Sequence, residues 1–183
     1  AKLVTMVQDI MEPVAKMDGD SLPVSAFVAH ADGTFEQGAS AYEKRGVAVM
    51  VPEWDETKCI QCNRCSYVCP HATIRPFALT EEEVAAAPEG LQVAKMTGKG
   101  LEALKFTMAV SPMDCMGCGV CVGECPAKEK AIKMVPRESQ EYKQPVFDYL
   151  VANVGKKEGM PAKETVKGSQ FEKPLLEFSG SCA

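Results

Sequence analysis

The sequence contains one cysteine pattern twice, as CIQCNRCSYVCP at residues 59–70 and as CMGCGVCVGECP at residues 115–126. In both stretches two residues separate the first three cysteines, three residues precede the fourth, and a proline follows it. The surrounding sequence repeats as well, because a short apolar segment stands before and after each stretch. A repeat of this kind indicates that two similar halves build the fold.

The spacing within each stretch is that of the cysteine runs that ligate [4Fe–4S] clusters. Three thiolates on one tight loop bind one cluster, and in two-cluster proteins the fourth cysteine of the run ligates the other cluster. We therefore predict two cluster-binding sets, Cys59, Cys62, Cys65 and Cys125 for the first cluster, and Cys115, Cys118, Cys121 and Cys69 for the second. Because the clusters would then join the two halves, we expect the metal-free chain to be poorly folded.

The two loops differ in the residues between their cysteines. Gly117 and Gly119 give the second loop the backbone freedom that a close approach to a cluster requires, whereas the first loop contains Gln61, Asn63 and Arg64. Polar groups near a cluster change its reduction potential. We therefore expect the two clusters to differ in potential.

The apolar segments around the cysteines predict strands at 47–51, 73–77, 105–110 and 131–135. Between the halves, Thr80 and three following glutamates predict a helix at 80–87, which ends before Pro88. The expected fold is α+β, a bacterial 2[4Fe–4S] ferredoxin-like domain with a pseudo-twofold repeat of strand, cysteine loop and strand, an inserted helix and long extended arms. We divide the chain into an N-terminal arm at 1–46, the two-cluster domain at 47–136 and a C-terminal arm at 137–183. Within the last arm, 145–155 fits either a helix or an extended segment.

Composition excludes several other classes of protein. The chain has 183 residues, 46% of them hydrophobic, and a net charge of −5, which argues against binding to nucleic acid through its phosphates. No run of apolar residues is long enough for a membrane span, and no secretory signal is visible at the start, so we expect a cytoplasmic protein. A reducing compartment also argues against disulfides.

Zinc is the main alternative to iron and sulfide, because Cys-x2-Cys pairs also bind Zn²⁺ in structural modules. The third and fourth cysteines of each run are surplus to a zinc site built from such pairs. His30 and His71 are interpreted as ordinary surface or loop residues. His71 follows Cys69 and Pro70, a position that fits a place near a cluster, but it is not interpreted as a ligand. Trp54 and Tyr67 are interpreted as packing residues rather than electron relays.

Segments outside the cysteine runs resemble pyruvate:ferredoxin (flavodoxin) oxidoreductase, namely GDSLPVSAF at 19–27, YEKRG at 42–46, VPEW at 51–54, KGSQF at 167–171 and EFSGSCA at 177–183. The resemblance covers essentially the whole chain. It implies one module of a larger enzyme, which oxidatively decarboxylates pyruvate to acetyl-CoA and CO2 with thiamine diphosphate, Mg²⁺ and coenzyme A. In that family three [4Fe–4S] clusters pass the electrons to external ferredoxin or flavodoxin.

The same resemblance implies the place of this chain in the enzyme. The C-terminal arm leads to the thiamine-binding domain, and Cys182 matches a ligand of a third cluster that is completed outside this chain. We expect the chain alone to transfer electrons and to contain no catalytic residue for the decarboxylation. Its expected partners are the remaining domains of the enzyme, which is commonly a homodimer in this family of anaerobic metabolism. The alternatives are a module of another 2-oxoacid oxidoreductase and a stand-alone ferredoxin.

Overall fold

The computed structural model describes residues 2–172, which form two compact units. The first unit ends at Arg45 and the second begins at Gly46. Both predicted cysteine loops lie in the second unit. Among the described residues, no helix combines the length and the apolar character needed to cross a membrane.

The first unit begins with a helical segment made of α1 (Lys2–Met6), a π-helical turn (Val7–Met11) and α2 (Glu12–Ala15). Short 3-10 helices follow at Gly19–Ser21, Val24–His30 and Ala39–Tyr42. A small apolar cluster of this unit's own forms around Met6, Val7 and Ile10. The predicted arm at 1–46 thus has local structure, and its contact with a neighbouring domain remains a prediction.

Five strands in two antiparallel sheets form the second unit: β1 (Met50–Trp54), β2 (Ile74–Leu79), β3 (Ala94–Lys95), β4 (Lys105–Val110) and β5 (Ile132–Pro136). β1 pairs with β5, and β4 lies between β2 and β3. All four predicted strands are present, but β1 begins at Met50 rather than at residue 47. The last register pair joins Met50 and Pro136, and one further backbone bond follows, from Arg137 N to Val49 O at 3.0 Å. The mixed α and β content agrees with the prediction, whereas the pseudo-twofold relation remains a prediction.

β2 and β4 have buried side chains on both faces, which alternate along each strand as the pleat requires. One face, with Ile74 and Phe106, belongs to the core that also contains Trp54, Cys65 and Cys121. The opposite face is covered by α6 (Gln144–Asn153), whose apolar residues pack on β2 and β4. Residues 145–155, left open by the sequence, therefore lie largely in a helix. The compact unit continues past residue 136, which differs from the predicted domain boundary.

The insert between the cysteine loops contains α4 (Glu81–Ala85), as predicted. Thr80 caps it, because Glu83 N donates to Thr80 Oγ1 at 3.2 Å and Thr80 N donates to Glu83 Oε2 at 2.8 Å. This reciprocal pair satisfies two backbone donors at the start of the helix. The capped turn marks the end of strand β2 and the start of the insert. The insert rejoins the same sheet at β3.

Candidate metal centre

Two cavities in the second unit bring the cysteines together across the two halves of the sequence. Cavity 1 is lined by Cys59, Cys62, Cys65 and Cys125, and cavity 2 by Cys69, Cys115, Cys118 and Cys121. In both cases three cysteines come from one loop and the fourth from the other run. These are the same two sets that the spacing predicts.

Electrostatic influences also connect the fourth cysteine of each run with the thiols of the opposite loop. Burial is the largest influence on the pKa of Cys59 and raises it, and Cys125 is among the thiols that raise it further. Burial likewise raises the pKa of Cys121 to about 11, and Cys69 adds to this increase. The fourth cysteine of each run therefore lies close to the thiols of the opposite loop. Cluster binding requires thiolates, so assembly must release protons from these buried groups.

The two cysteine loops have matching backbone conformations despite their different residues. Gln61 and Asn63 have φ values of 55° and 61°, and Gly117 and Gly119 have values of 71° and 74° at the corresponding positions. A short helix follows each loop, α3 (Arg64–Tyr67) in the first and α5 (Val120–Glu124) in the second. Left-handed backbone strains side-chain-bearing residues, glutamine more than asparagine. The first loop therefore needs stabilising contacts that the second loop does not.

Backbone N–H groups point at cysteine sulfurs in both loops. Gln61 N donates to Cys59 Sγ, and Gly117 N donates to Cys115 Sγ, each at 3.4 Å. Such bonds stabilise a thiolate and lower the negative charge that a bound cluster presents. Gln61 and Gly117, which both have left-handed backbone, thus supply equivalent N–H···S contacts in the two loops.

The lining of both cavities fits a metal cluster that carries sulfur acceptors. Trp54 and His71 each line one of the cavities, and Trp54 Nε1 and His71 Nδ1 are buried and have no hydrogen-bond partner in the described part of the chain. A buried donor without an acceptor is costly, so native structures rarely contain one. Four thiols and one residue with an unpartnered ring nitrogen at each cavity are therefore consistent with a cluster.

A single zinc ion fits these cavities poorly. Tetrahedral Zn–S bonds of about 2.3 Å hold the four sulfurs of such a site close together. Within residues 2–172, no three His, Cys, Asp or Glu side chains come together as ligands of one ion. The eight cysteines of the two runs are also free of disulfides. The thiols stand around a cavity, and a cluster bridges that arrangement better than one ion does.

Other segments of the chain cover the first loop. The Gln61 amide donates to Lys95 O at 2.8 Å and accepts from Thr97 N at 2.9 Å, which joins the loop to the insert. Asn63 Nδ2 donates to Lys167 O at 2.9 Å, and Ser66 Oγ donates to Gln170 Oε1 at 2.8 Å. The segment KGSQF, singled out in the sequence, thus packs directly on the loop that borders cavity 1.

The two loops differ in the exposure of their middle cysteine. Cys118 of the second loop is exposed, whereas Cys62 of the first loop is half-buried. The residues that follow the first cysteine show the opposite order, because Ile60 is 58% exposed and Met116 44%. Among the eight cysteines of the two runs, Cys118 is therefore the one most open to solvent.

Gly117 and Gly119 provide a matched pair of substitutions. A Cβ at Gly117 would lie 2.9 Å from the backbone oxygen of Met50, whereas Gly119 has open space. Both have positive φ, so alanine costs about 1 kcal/mol at either site through backbone strain. We expect Gly117→Ala, whose Cβ meets the backbone of Met50, to lose the contents of cavity 2, about half of the bound iron. Gly119→Ala adds a methyl group at the lining of cavity 2 without touching protein atoms and should lose less. Iron and sulfide analysis of the two purified variants decides this, and equal loss in both would contradict the role of the Met50 contact.

The buried amide of Gln61 is expected to contribute strongly to stability. Gln61→Ala keeps the strained backbone and removes the bonds to Lys95 and Thr97, so we expect a loss of about 2 kcal/mol. Gln61→Gly removes the same bonds but relieves the strain, and it should therefore be less damaging than alanine. Guanidinium unfolding of the two iron-loaded variants without oxygen measures this order. Equal unfolding midpoints in both variants and the parent chain would show that the hydrogen bonds of the Gln61 side chain do not contribute to stability.

Three residues of the site differ in how far the sequence predicts them. His71 is not a surface residue, because it is 6% exposed, but it lines cavity 2, in agreement with its place directly after Cys69 and Pro70. No local pattern predicts the hydrogen bonds of the Gln61 amide, because its partners lie 34 and 36 positions further along the chain. Trp54 was interpreted as a packing residue, and it packs against Phe106 while it also borders cavity 1.

One predicted functional position, Cys182 as a ligand of a third cluster, lies outside the described residues. The resemblance at 177–183 also falls there. His30 lies in the first unit, where its Nδ1 pairs with Thr34 O at 2.8 Å.

Two regions of the chain match known protein families. Residues 58–129 match a family described as a 4Fe-4S dicluster domain. Residues 1–48 match EKR, a domain of unknown function. The first match includes all eight cysteines of the two runs and supports two [4Fe–4S] clusters.

Several curated proteins are similar to nearly the whole chain. Pyruvate-flavodoxin oxidoreductase of Enterobacter agglomerans is 50% identical over 99% of the chain, and pyruvate:ferredoxin oxidoreductase of Moorella thermoacetica is 47% identical over 97%. The mitochondrial pyruvate dehydrogenase [NADP(+)] of Euglena gracilis is 43% identical over 98%. The chain spans 15% of the length of the first two proteins and 10% of the third.

Proposed function

The chain is homologous along nearly all of its length to a segment of the pyruvate-flavodoxin oxidoreductases, and we propose that it conducts electrons through two [4Fe–4S] clusters in such an enzyme. The observation that carries this proposal is the gathering of four cysteines around each of two cavities, with one ligand exchanged between the loops. The whole enzyme would convert pyruvate and coenzyme A to acetyl-CoA, CO2, a proton and two electrons.

In this proposal the thiols of cavity 1 hold the first cluster, and those of cavity 2 hold the second. A bound [4Fe–4S] cluster accepts and releases one electron without making or breaking bonds to substrate. The protein's own contribution is to fix the thiolates, to aim N–H groups at sulfur and to limit water. Apolar neighbours such as Met108 and Ile132 in cavity 1 and Ile74 and Met134 in cavity 2 serve the last purpose.

We propose that electrons enter at the first cluster and leave from the second. The C-terminal segment 167–170 contacts the first loop. In the proposed enzyme the thiamine-binding domain would follow this segment. The second loop has the more exposed cysteine, which favours contact with an external carrier. The names of the relatives include flavodoxin, ferredoxin and NADP(+), so the segment occurs in proteins with different acceptors.

The rest of the proposed enzyme lies outside the described residues. Thiamine diphosphate, Mg²⁺, coenzyme A and a third cluster, for which Cys182 would be one ligand, would be bound only in the full enzyme. We propose an arm-like role for 1–46 and for the end of the chain at the junctions with other domains, in a homodimeric enzyme of the cytoplasm. A module of another 2-oxoacid oxidoreductase would use the same two clusters. The 2-oxoacid that the full-length protein prefers distinguishes the two enzymes.

The test uses the full-length protein that contains this chain, with Cys118→Ala in its second loop. We expect reduction of ferredoxin or flavodoxin to fall at least tenfold, while a single turnover of pyruvate still releases CO2. The matched control is Cys182→Ala, which should act on the third cluster instead and leave the iron of the two-cluster domain in place. Unchanged carrier reduction by the Cys118 variant would contradict the proposal. Turnover of another 2-oxoacid in preference to pyruvate would favour the alternative enzyme.

A further inference from the structure

Each cysteine cavity is lined by one aromatic residue that has a buried ring nitrogen without a hydrogen-bond partner among the described residues. Trp54, with Nε1 unpartnered, lines cavity 1, and His71, with Nδ1 unpartnered, lines cavity 2. The two residues are 4% and 6% exposed, so water does not readily satisfy these groups. Desolvating a donor without pairing it is costly, and this calls for an acceptor inside each cavity.

We propose that Trp54 Nε1 and His71 Nδ1 each donate an N–H···S hydrogen bond to the cluster in its own cavity, and that the two donors set the two reduction potentials independently. This inference rests on the proposed clusters. For His71 it requires the tautomer with the proton on Nδ1. An N–H group aimed at sulfur stabilises the reduced cluster, which has the greater negative charge, and therefore raises its potential.

The position of Trp54 is fixed by its packing. It is the last residue of β1, opposite Ile132 of β5, and its ring meets Phe106 edge-on at a centroid distance of 5.9 Å. These contacts hold the indole at the wall of cavity 1, where its Nε1 is buried without a hydrogen-bond partner in the described part of the chain. An acceptor bound in cavity 1 would pair this N–H.

The two halves of the sequence differ at these two positions. Val110 precedes Cys115 at the spacing by which Trp54 precedes Cys59, and Ala127 follows Cys125-Pro126 where His71 follows Cys69-Pro70. Neither Val110 nor Ala127 has a side-chain donor. Each cavity thus receives one ring donor, but from a different place in the repeat, and this makes the two effects separable by mutation.

The test compares Trp54→Phe and His71→Ala with the parent chain, all purified without oxygen and titrated with reductant while paramagnetic resonance follows each cluster. Phenylalanine keeps the aromatic packing and removes only the N–H. We expect the reduced-to-oxidised ratio of one cluster to fall about tenfold in Trp54→Phe at a fixed solution potential, a shift of about 59 mV for a one-electron couple. The other cluster should shift in His71→Ala. His71→Asn, which offers an amide N–H near the place of Nδ1, should recover part of that shift.

Tyr142→Phe is the control, because it removes a polar aromatic group that is 57% exposed and borders neither cysteine cavity. Unshifted potentials in variants that retain all their iron and sulfide would overturn the inference, and so would equal shifts of both clusters. If Trp54→Phe does not assemble its clusters, His71→Ala and His71→Asn carry the test. Absence of iron and sulfide from the parent chain would instead defeat the proposed function.

Discussion

The double variant Cys59→Ala/Cys125→Ala should retain about four irons per chain, whereas Cys59→Ala/Cys69→Ala should retain almost none. The first pair removes two ligands of the same cavity, so the thiols of cavity 2 remain complete. The second pair removes one ligand from each cavity, so both clusters lose a thiolate. Each variant lacks two cysteines. The variants differ only in whether both cysteines come from one cavity or one comes from each.

Ligation of each cluster by its own run of four cysteines predicts the reverse result. Cys59 and Cys69 belong to one run, so their joint loss would then leave the second cluster intact. Iron and acid-labile sulfide, measured on both variants prepared in parallel without oxygen, distinguish the two arrangements. Alanine is preferred to serine because its side chain offers no oxygen ligand. The reverse order of iron contents would contradict the exchange of ligands between loops.

Removal of iron should unfold the half of the second unit that contains β1 and β5. These strands form a two-stranded sheet, and such a sheet has marginal stability without further packing. The helices beside the cavities have only four and five residues, too few to be stable alone. Cys65 and Cys121 belong to the core next to Trp54, so the clusters would fill the centre of this half.

The other half should retain more structure. α6 packs on β2 and β4 through a separate apolar cluster that includes Phe77, Phe147 and Leu150 and no cysteine. Hydrogen exchange before and after anaerobic chelation of iron measures the difference. We expect protection to fall by several orders of magnitude in β1 and β5 and much less in β4 and α6. Unchanged protection in β1 would show that the cysteines have no structural role there.

The sequence predicted the parts of the site that local spacing encodes. Three cysteines two residues apart fit one loop, and apolar segments beside the loops became β1, β2, β4 and β5. Gly117 and Gly119 pointed to left-handed backbone in the second loop, and both have it. The capped helix after Thr80 was also predictable, because its cap and first turn are contiguous.

Features that depend on distant contacts were not predictable. Gln61 and Asn63 adopt left-handed backbone because partners in the insert and in 167–170 hold them, and no local signal reports those partners. The residues of α6 favour a strand as much as a helix, and the apolar face of β2 and β4 decides between them. The burial of His71 follows from the inward turn of Cys69 rather than from the character of histidine.

The most direct test of the central claim is the count of iron and acid-labile sulfide per chain in protein purified without oxygen. Two [4Fe–4S] clusters require about eight of each. Because the cysteines surround two separate cavities, we expect that result, with absorbance that bleaches on reduction. Zinc without sulfide would contradict the account and would leave a structural module in place of an electron-transfer domain.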